Sequence, residues 1–111
     1  MYHVRLEQFE GPLPLLLSLI EKEKLDVTRL ALAAIADQYL DHIENEEDVP
    51  LPHLSQFLAV ASRLLLLKSR ALLPILSFTE EEEHKIEDLE WRLREYKRYK
   101  EASVKLGSLF L

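Results

Sequence analysis

Leucine accounts for 25 of the 111 residues of this chain, whereas glycine occurs only twice, as Gly11 and Gly107. Leucine is a strong helix former, and all-β domains need glycine at their turns. The composition therefore predicts an all-α fold, and the length allows a single domain. A domain this small has a large surface and little interior, so the leucine excess exceeds what one core can hide.

Hydrophobic periodicity and helix caps predict a small bundle of about four helices. They are expected at about 12–24, 28–45, 51–73 and 79–106, after a short extended arm at 1–10. Asp26 or Thr28 can cap the second helix. Thr79 and Glu82 form a capping-box pattern at the start of the fourth.

The third predicted helix has the most unbalanced surface. Its apolar and small residues cover most of the circumference, which is more than one neighbouring layer can bury. Lys68 falls inside that apolar arc, and an unpaired buried ammonium is costly. The lysine therefore has three options: to snorkel to water, to form an ion pair, or to meet an acceptor on a partner.

Composition also narrows the functional classes. The chain has no cysteine, which removes thiolate chemistry and is compatible with the cytoplasm. No apolar run reaches the roughly 20 residues of a membrane span. The formal net charge is −6, whereas general nucleic-acid affinity favours a basic domain, so direct DNA binding is disfavoured.

No enzyme site, metal site or cofactor site is predicted. The four histidines, His3, His42, His53 and His84, are dispersed, and none has a second histidine three or four residues away. Asp37 and Asp41 share a helix face without a partner for acid–base chemistry. The expected function is therefore binding.

A basic stretch at 91–100 interleaves aromatic and cationic residues. Cations follow phosphates and aromatic rings stack on bases, so a nucleic-acid contact is one interpretation. A solvated helix face and a contact with a second protein are the others. The candidate residues are Arg94, Lys97 and Arg98.

Several short segments, in order, resemble the N-terminal domain of the bacterial kleisin family, segregation and condensation protein A. They are FEGPL at 9–13, LLL at 15–17, KLDV at 24–27, QYL at 38–40, FLAVAS at 57–62, LL at 64–65, KSRALLP at 68–74 and EYKRYKEA at 95–102. Each is weak alone, but their order and spacing cover nearly the whole chain. Pro14 departs from the family's usual acidic residue, 28–34 lacks a common proline, and the linker at 75–79 is short.

The resemblance implies a non-catalytic subunit of a condensin-like complex that organises and segregates the bacterial chromosome. The domain is expected to bind the coiled-coil neck of an SMC ATPase. A dimer of segregation and condensation protein B would bind the family's middle region, and a C-terminal winged helix would follow. Both lie outside this chain, which is expected to be an N-terminal fragment. DNA would be contacted only through the complex, in the cytoplasm at the nucleoid.

The expected contact surface with the neck is one stripe of the third helix. It consists of Leu54, Leu58, Ala61, Leu65, Lys68 and Leu72, read as helix-in-groove anchors. The opposite choice, with Val60, Leu64 and Leu67 facing outward, remains open, because a core stripe and a partner stripe look alike in sequence. An uncovered apolar stripe also allows the isolated domain to self-associate.

Overall fold

The computed structural model of the chain describes residues 11–45, 51–73, 75 and 77–109. Within them lie four helices, α1 (Pro12–Lys22), α2 (Arg29–Glu44), α3 (Leu51–Leu72) and α4 (Glu80–Leu109). The all-α bundle predicted from the sequence is confirmed, and every helix boundary lies within three residues of the predicted one. The predicted extended arm at 1–10 lies outside the described residues.

Helix α1 is the central element of the bundle. It packs against all three other helices, and five of its eleven residues are buried: Leu15, Leu16, Leu17, Leu19 and Ile20. This explains why its sequence has almost no polar face, because a helix surrounded on several sides needs none. Pro12 and Pro14 are tolerated since the first turn has no intrahelical acceptors for its N–H groups.

A Schellman motif ends α1. Leu25 N–H donates to the Ile20 carbonyl at 3.0 Å, and Lys24 N–H donates to the Glu21 carbonyl at 3.0 Å. Lys24 occupies the left-handed conformation that the motif requires, with φ of 55°. The reversal directs the chain into α2, whose N-cap is Thr28. Its hydroxyl accepts from Ala31 N–H at 3.0 Å.

Helices α2 and α3 share the most extensive interface of the bundle. At its centre, the Tyr39 hydroxyl donates to the Phe57 carbonyl at 2.8 Å, and the two rings lie 6.4 Å apart. Burial raises the pKa of the Tyr39 phenol, so the hydroxyl stays protonated and remains a donor.

Helix α4 begins with the predicted capping box. Glu82 N–H donates to the Thr79 hydroxyl at 3.1 Å, and Thr79 N–H donates to the Glu82 carboxylate at 2.8 Å. Ile86, Leu89 and Leu93 are then buried against the other helices. Arg29 at the start of α2 bonds to Glu83 and Glu90 of α4, which joins these two helices by charge as well as packing.

The carboxylates in the first turn of α4 make the free energy of unfolding depend on pH. The backbone hydrogen bond from Thr79 lowers the pKa of Glu82, and the hydrogen bond from Arg29 lowers that of Glu83. Groups with a lowered folded-state pKa stabilise the fold above their ordinary value of 4.5, and this stabilisation is lost as the pH falls through the folded-state value.

We therefore expect the free energy of unfolding of Glu82→Gln to fall less than that of the parent chain between neutral pH and about pH 3. Urea denaturation followed by circular dichroism at both pH values measures the difference. Equal losses in the two chains would contradict a contribution from the Glu82 carboxylate.

A candidate docking surface on the third helix

One face of α3 forms part of the hydrophobic core. Phe57, Val60, Leu64 and Leu67 are between 0% and 7% exposed and pack against buried residues of the other helices. Because these residues face inward, the alternative in which Val60, Leu64 and Leu67 face a partner is wrong.

The opposite face of α3 is a regular exposed row. Leu58, Leu65 and Leu72 are 49%, 47% and 69% exposed and lie seven residues apart. Ser55, Ser62 and Ser69, all exposed, alternate with them. The resulting 3-4-3-4-3 spacing is the heptad pattern of a coiled-coil seam. We call these six residues the serine–leucine seam.

The serine side chains are small, and the hydroxyls of Ser62 and Ser69 are hydrogen-bonded within α3. The Ser62 hydroxyl donates to the Ala59 carbonyl at 2.8 Å, and the Ser69 hydroxyl donates to the Leu65 carbonyl at 2.9 Å. Both hydroxyl protons are therefore satisfied within α3 itself. Small side chains at alternate seam positions let a second helix approach closely between the leucines.

The basic side chains of α3 are directed away from the seam and bonded within the domain. Arg63 pairs with Asp88 at 3.5 Å, and Lys68 pairs with Asp37 at 2.5 Å. Arg70 lies 3.6 Å from Glu82 and 5.0 Å from the centre of the Phe78 ring. Since α3 contains no acidic residue, the seam presents no charge of its own.

Part of the contact stripe predicted from the sequence lies on this face and part does not. Leu58, Leu65 and Leu72 are exposed, and Leu54 is half-buried. Ala61 is 4% exposed and belongs to the core, so its prediction as an outward contact is wrong. Lys68 takes the ion-pair option, because its ammonium meets Asp37.

The exposed row contains three serines that the predicted contact stripe does not include. Their seven-residue period was visible, but a polar residue type does not suggest a docking surface. The predicted stripe chose Leu54, Ala61 and Lys68 instead, which lie one position N-terminal to each serine. The predicted stripe therefore lies closer to the buried face of α3 than the exposed row does.

The basic residues of α4 are mostly engaged within the domain. Arg94 bonds to Glu90 at 3.2 Å and to the Val27 carbonyl at 3.3 Å. Arg98 bonds to Glu95 at 3.2 Å, and Lys97 is half-buried. The structure thus places Arg94, Lys97 and Arg98 on one helix, and Arg94 shares the Glu90 carboxylate with Arg29 of α2.

No cluster of three metal-ligating side chains occurs in the described part of the chain. A groove of about 520 Å³ lies between the start of α1, α3 and α4, with Leu13, Val60 and Leu89 among its lining. Its rim carries Arg63 and Arg92, both bonded to Asp88. No helix in the described ranges combines the length and hydropathy that crossing a membrane requires.

Comparison with known proteins identifies a family. Residues 19–109 match the family model described as segregation and condensation protein ScpA. Segregation and condensation protein A of Halothermothrix orenii is 39% identical over 93% of this chain and 42% of the relative. The proteins of that name from Caldanaerobacter subterraneus and Streptococcus uberis are 41% and 40% identical, over 98% and 94% of this chain and 46% and 45% of the relatives. The chain spans less than half the length of these relatives, and it belongs to the family of segregation and condensation protein A.

Proposed function

We propose that this chain is a non-catalytic docking domain of a bacterial kleisin, and that its serine–leucine seam binds the coiled-coil neck of an SMC ATPase. Through that contact it would act in chromosome segregation and condensation, in the cytoplasm at the nucleoid. The observation that carries the proposal is the exposed, uncharged heptad row on α3.

The geometry of the seam favours a helical partner. A 3-4-3-4-3 row accepts the knobs of a helix that crosses at about 20°. The six residues span 55–72, which is about 26 Å of helix at 1.5 Å per residue. A coiled coil offers a straight helix surface of this length, whereas a globular head rarely does.

The energetics favour leucine burial over charge pairing. Leu58, Leu65 and Leu72 are about half to two-thirds exposed, and full burial of a leucine contributes roughly 1.5–3 kcal/mol. Burial of the exposed parts of these three leucines by a partner would therefore contribute a few kcal/mol to the free energy of association. Since no charge lies on the seam, binding is expected to depend little on salt.

The other expected partners belong to the longer proteins of the family. We propose that a dimer of segregation and condensation protein B binds residues beyond this domain, and that DNA is contacted through the assembled complex. The bonds of Arg94 to the Glu90 carboxylate and to the Val27 carbonyl count against this residue as part of a nucleic-acid surface.

Size-exclusion chromatography tests the proposal directly. The chain is mixed with an SMC head that carries a stretch of its coiled coil, and with the same head lacking the coiled coil as the matched control. We expect co-elution with the first and separate elution from the second. Separate elution from both, with all proteins folded by circular dichroism, would overturn the proposal.

A further inference from the structure

Helix α4 carries a second exposed apolar row, beyond the part that packs in the bundle. Its buried residues end at Leu93, whereas every residue from 98 to 109 is exposed. At 1.5 Å per residue, these twelve residues extend about 18 Å of helix past the core.

The exposed row has regular spacing. Tyr99, Leu106 and Leu109 are 71%, 56% and 75% exposed, and Ala102 is exposed between them. Their 3-4-3 spacing is again that of a coiled-coil seam. We call these four residues the projecting row.

The projecting row cannot be covered by a simple extension of the bundle. At about 100° per residue, its centre lies roughly 150° around α4 from the buried row of Ile86, Leu89 and Leu93. The helices that bury the first row therefore lie on nearly the opposite side of α4. Contact between Lys100 and Glu21 of α1, at 4.0 Å, lies on the bundle side and leaves the row open.

The charge beside the projecting row indicates what can cover it. Arg98 and Lys105 both border the row on one flank, and 97–109 holds four basic residues against the single acidic Glu101. Arg98 is 78% exposed at its side chain and reaches only its helix neighbour Glu95. Lys105 has no ion pair within the described ranges. An acidic flank on the partner would therefore be attracted to this edge.

A second copy of the chain is a poor occupant. In an antiparallel pair of α4 helices, Arg98 and Lys105 of one copy would face the same cations of the other, since both occupy flanking heptad positions. In a parallel pair, Arg98 of one copy would face Ser103 of the other, so no ion pair would form between the copies. Like charges across a seam disfavour pairing.

We propose that the projecting row is a docking strip for an amphipathic helix of a second protein, whose apolar seam is bordered by acidic side chains. The projecting row lies on α4 and shares no residue with the serine–leucine seam. Both surfaces can therefore be occupied by different helices.

Two synthetic helices of about three heptads test the proposal. They share a leucine seam, and one carries glutamate at the flanking positions where the other carries lysine. Fluorescence anisotropy of each labelled peptide with the full chain is expected to give at least about tenfold tighter binding for the glutamate peptide, weakening as salt rises from about 50 to 300 mM.

Variants of the chain locate the contact. Leu106→Glu is expected to abolish binding of the glutamate peptide, and Arg98→Glu with Lys105→Glu is expected to reverse the preference between peptides. Val104→Glu, 67% exposed on the opposite side of α4, is the matched control and should bind as the parent does. Leu65→Glu should also retain peptide binding, which separates this strip from the proposed SMC contact.

Three results would overturn the proposal. The first is equal binding of the two peptides, or binding of neither. The second is dimerisation of the chain alone, seen in sedimentation and abolished by Leu106→Glu. The third is binding of duplex DNA that the Arg98→Glu, Lys105→Glu variant loses while its peptide binding is unchanged.

Discussion

Leu65→Glu is expected to weaken binding to the SMC neck by at least about thirtyfold, because a hot-spot residue contributes about 2 kcal/mol or more at the centre of an interface. Leu65 lies in the middle of the serine–leucine seam and is 47% exposed. A carboxylate there would have to be desolvated against the leucines of the partner. Isothermal titration with the SMC head and its coiled coil measures the loss.

The same substitution should leave the domain folded. A surface change of this kind alters the free energy of unfolding by about 0.5 kcal/mol or less, which urea denaturation measures. Leu30→Glu is the matched control, since Leu30 is 77% exposed on α2 and lies outside the seam, so it should bind as the parent chain does. If Leu65→Glu binds normally while remaining folded, the seam is not the contact surface.

Leu64→Ala is expected to have the opposite consequences, although Leu64 is the next residue along the chain. Leu64 is 0% exposed within the core cluster. Truncation removes its buried methyl groups and leaves a cavity, at a cost of about 2–5 kcal/mol in the free energy of unfolding. Urea and thermal denaturation measure this loss, and the folded fraction should still bind the neck.

Leu65→Ala is the control for core truncation at the neighbouring position. It removes the same atoms from a half-exposed site and should cost less than about 1 kcal/mol. Similar losses for Leu64→Ala and Leu65→Ala would contradict the assignment of α3's two faces. The adjacent pair thus separates stability from binding.

Local signals in the sequence were sufficient for the helices and their caps. The Thr79–Glu82 capping box depends on residues three positions apart, so spacing alone predicts it. The buried row of Ile86, Leu89 and Leu93 follows from helical periodicity in the same way. The central place of α1 agrees with the nearly complete absence of polar residues from its faces.

The orientation of α3 could not be predicted in the same way. Its apolar arc is wide enough to contain both a core face and a docking face, and periodicity does not locate the boundary between them. Ala61 and Ser62 show the difficulty, since a small residue suits either face and the packing of the other helices determines which one is buried. The ion pair of Lys68 with Asp37 likewise depends on two helices meeting, which no local pattern records.

The three cations of α3 would also affect how the seam meets a partner. Lys68 is bonded to α2, whereas Arg63 and Arg70 reach Asp88 and Glu82 of α4, so α3 is held from two sides while its outer face stays open. A surface held in this way is preorganised. Little backbone or rotamer entropy is then lost when a partner helix arrives, and more of the gain from leucine burial remains as affinity.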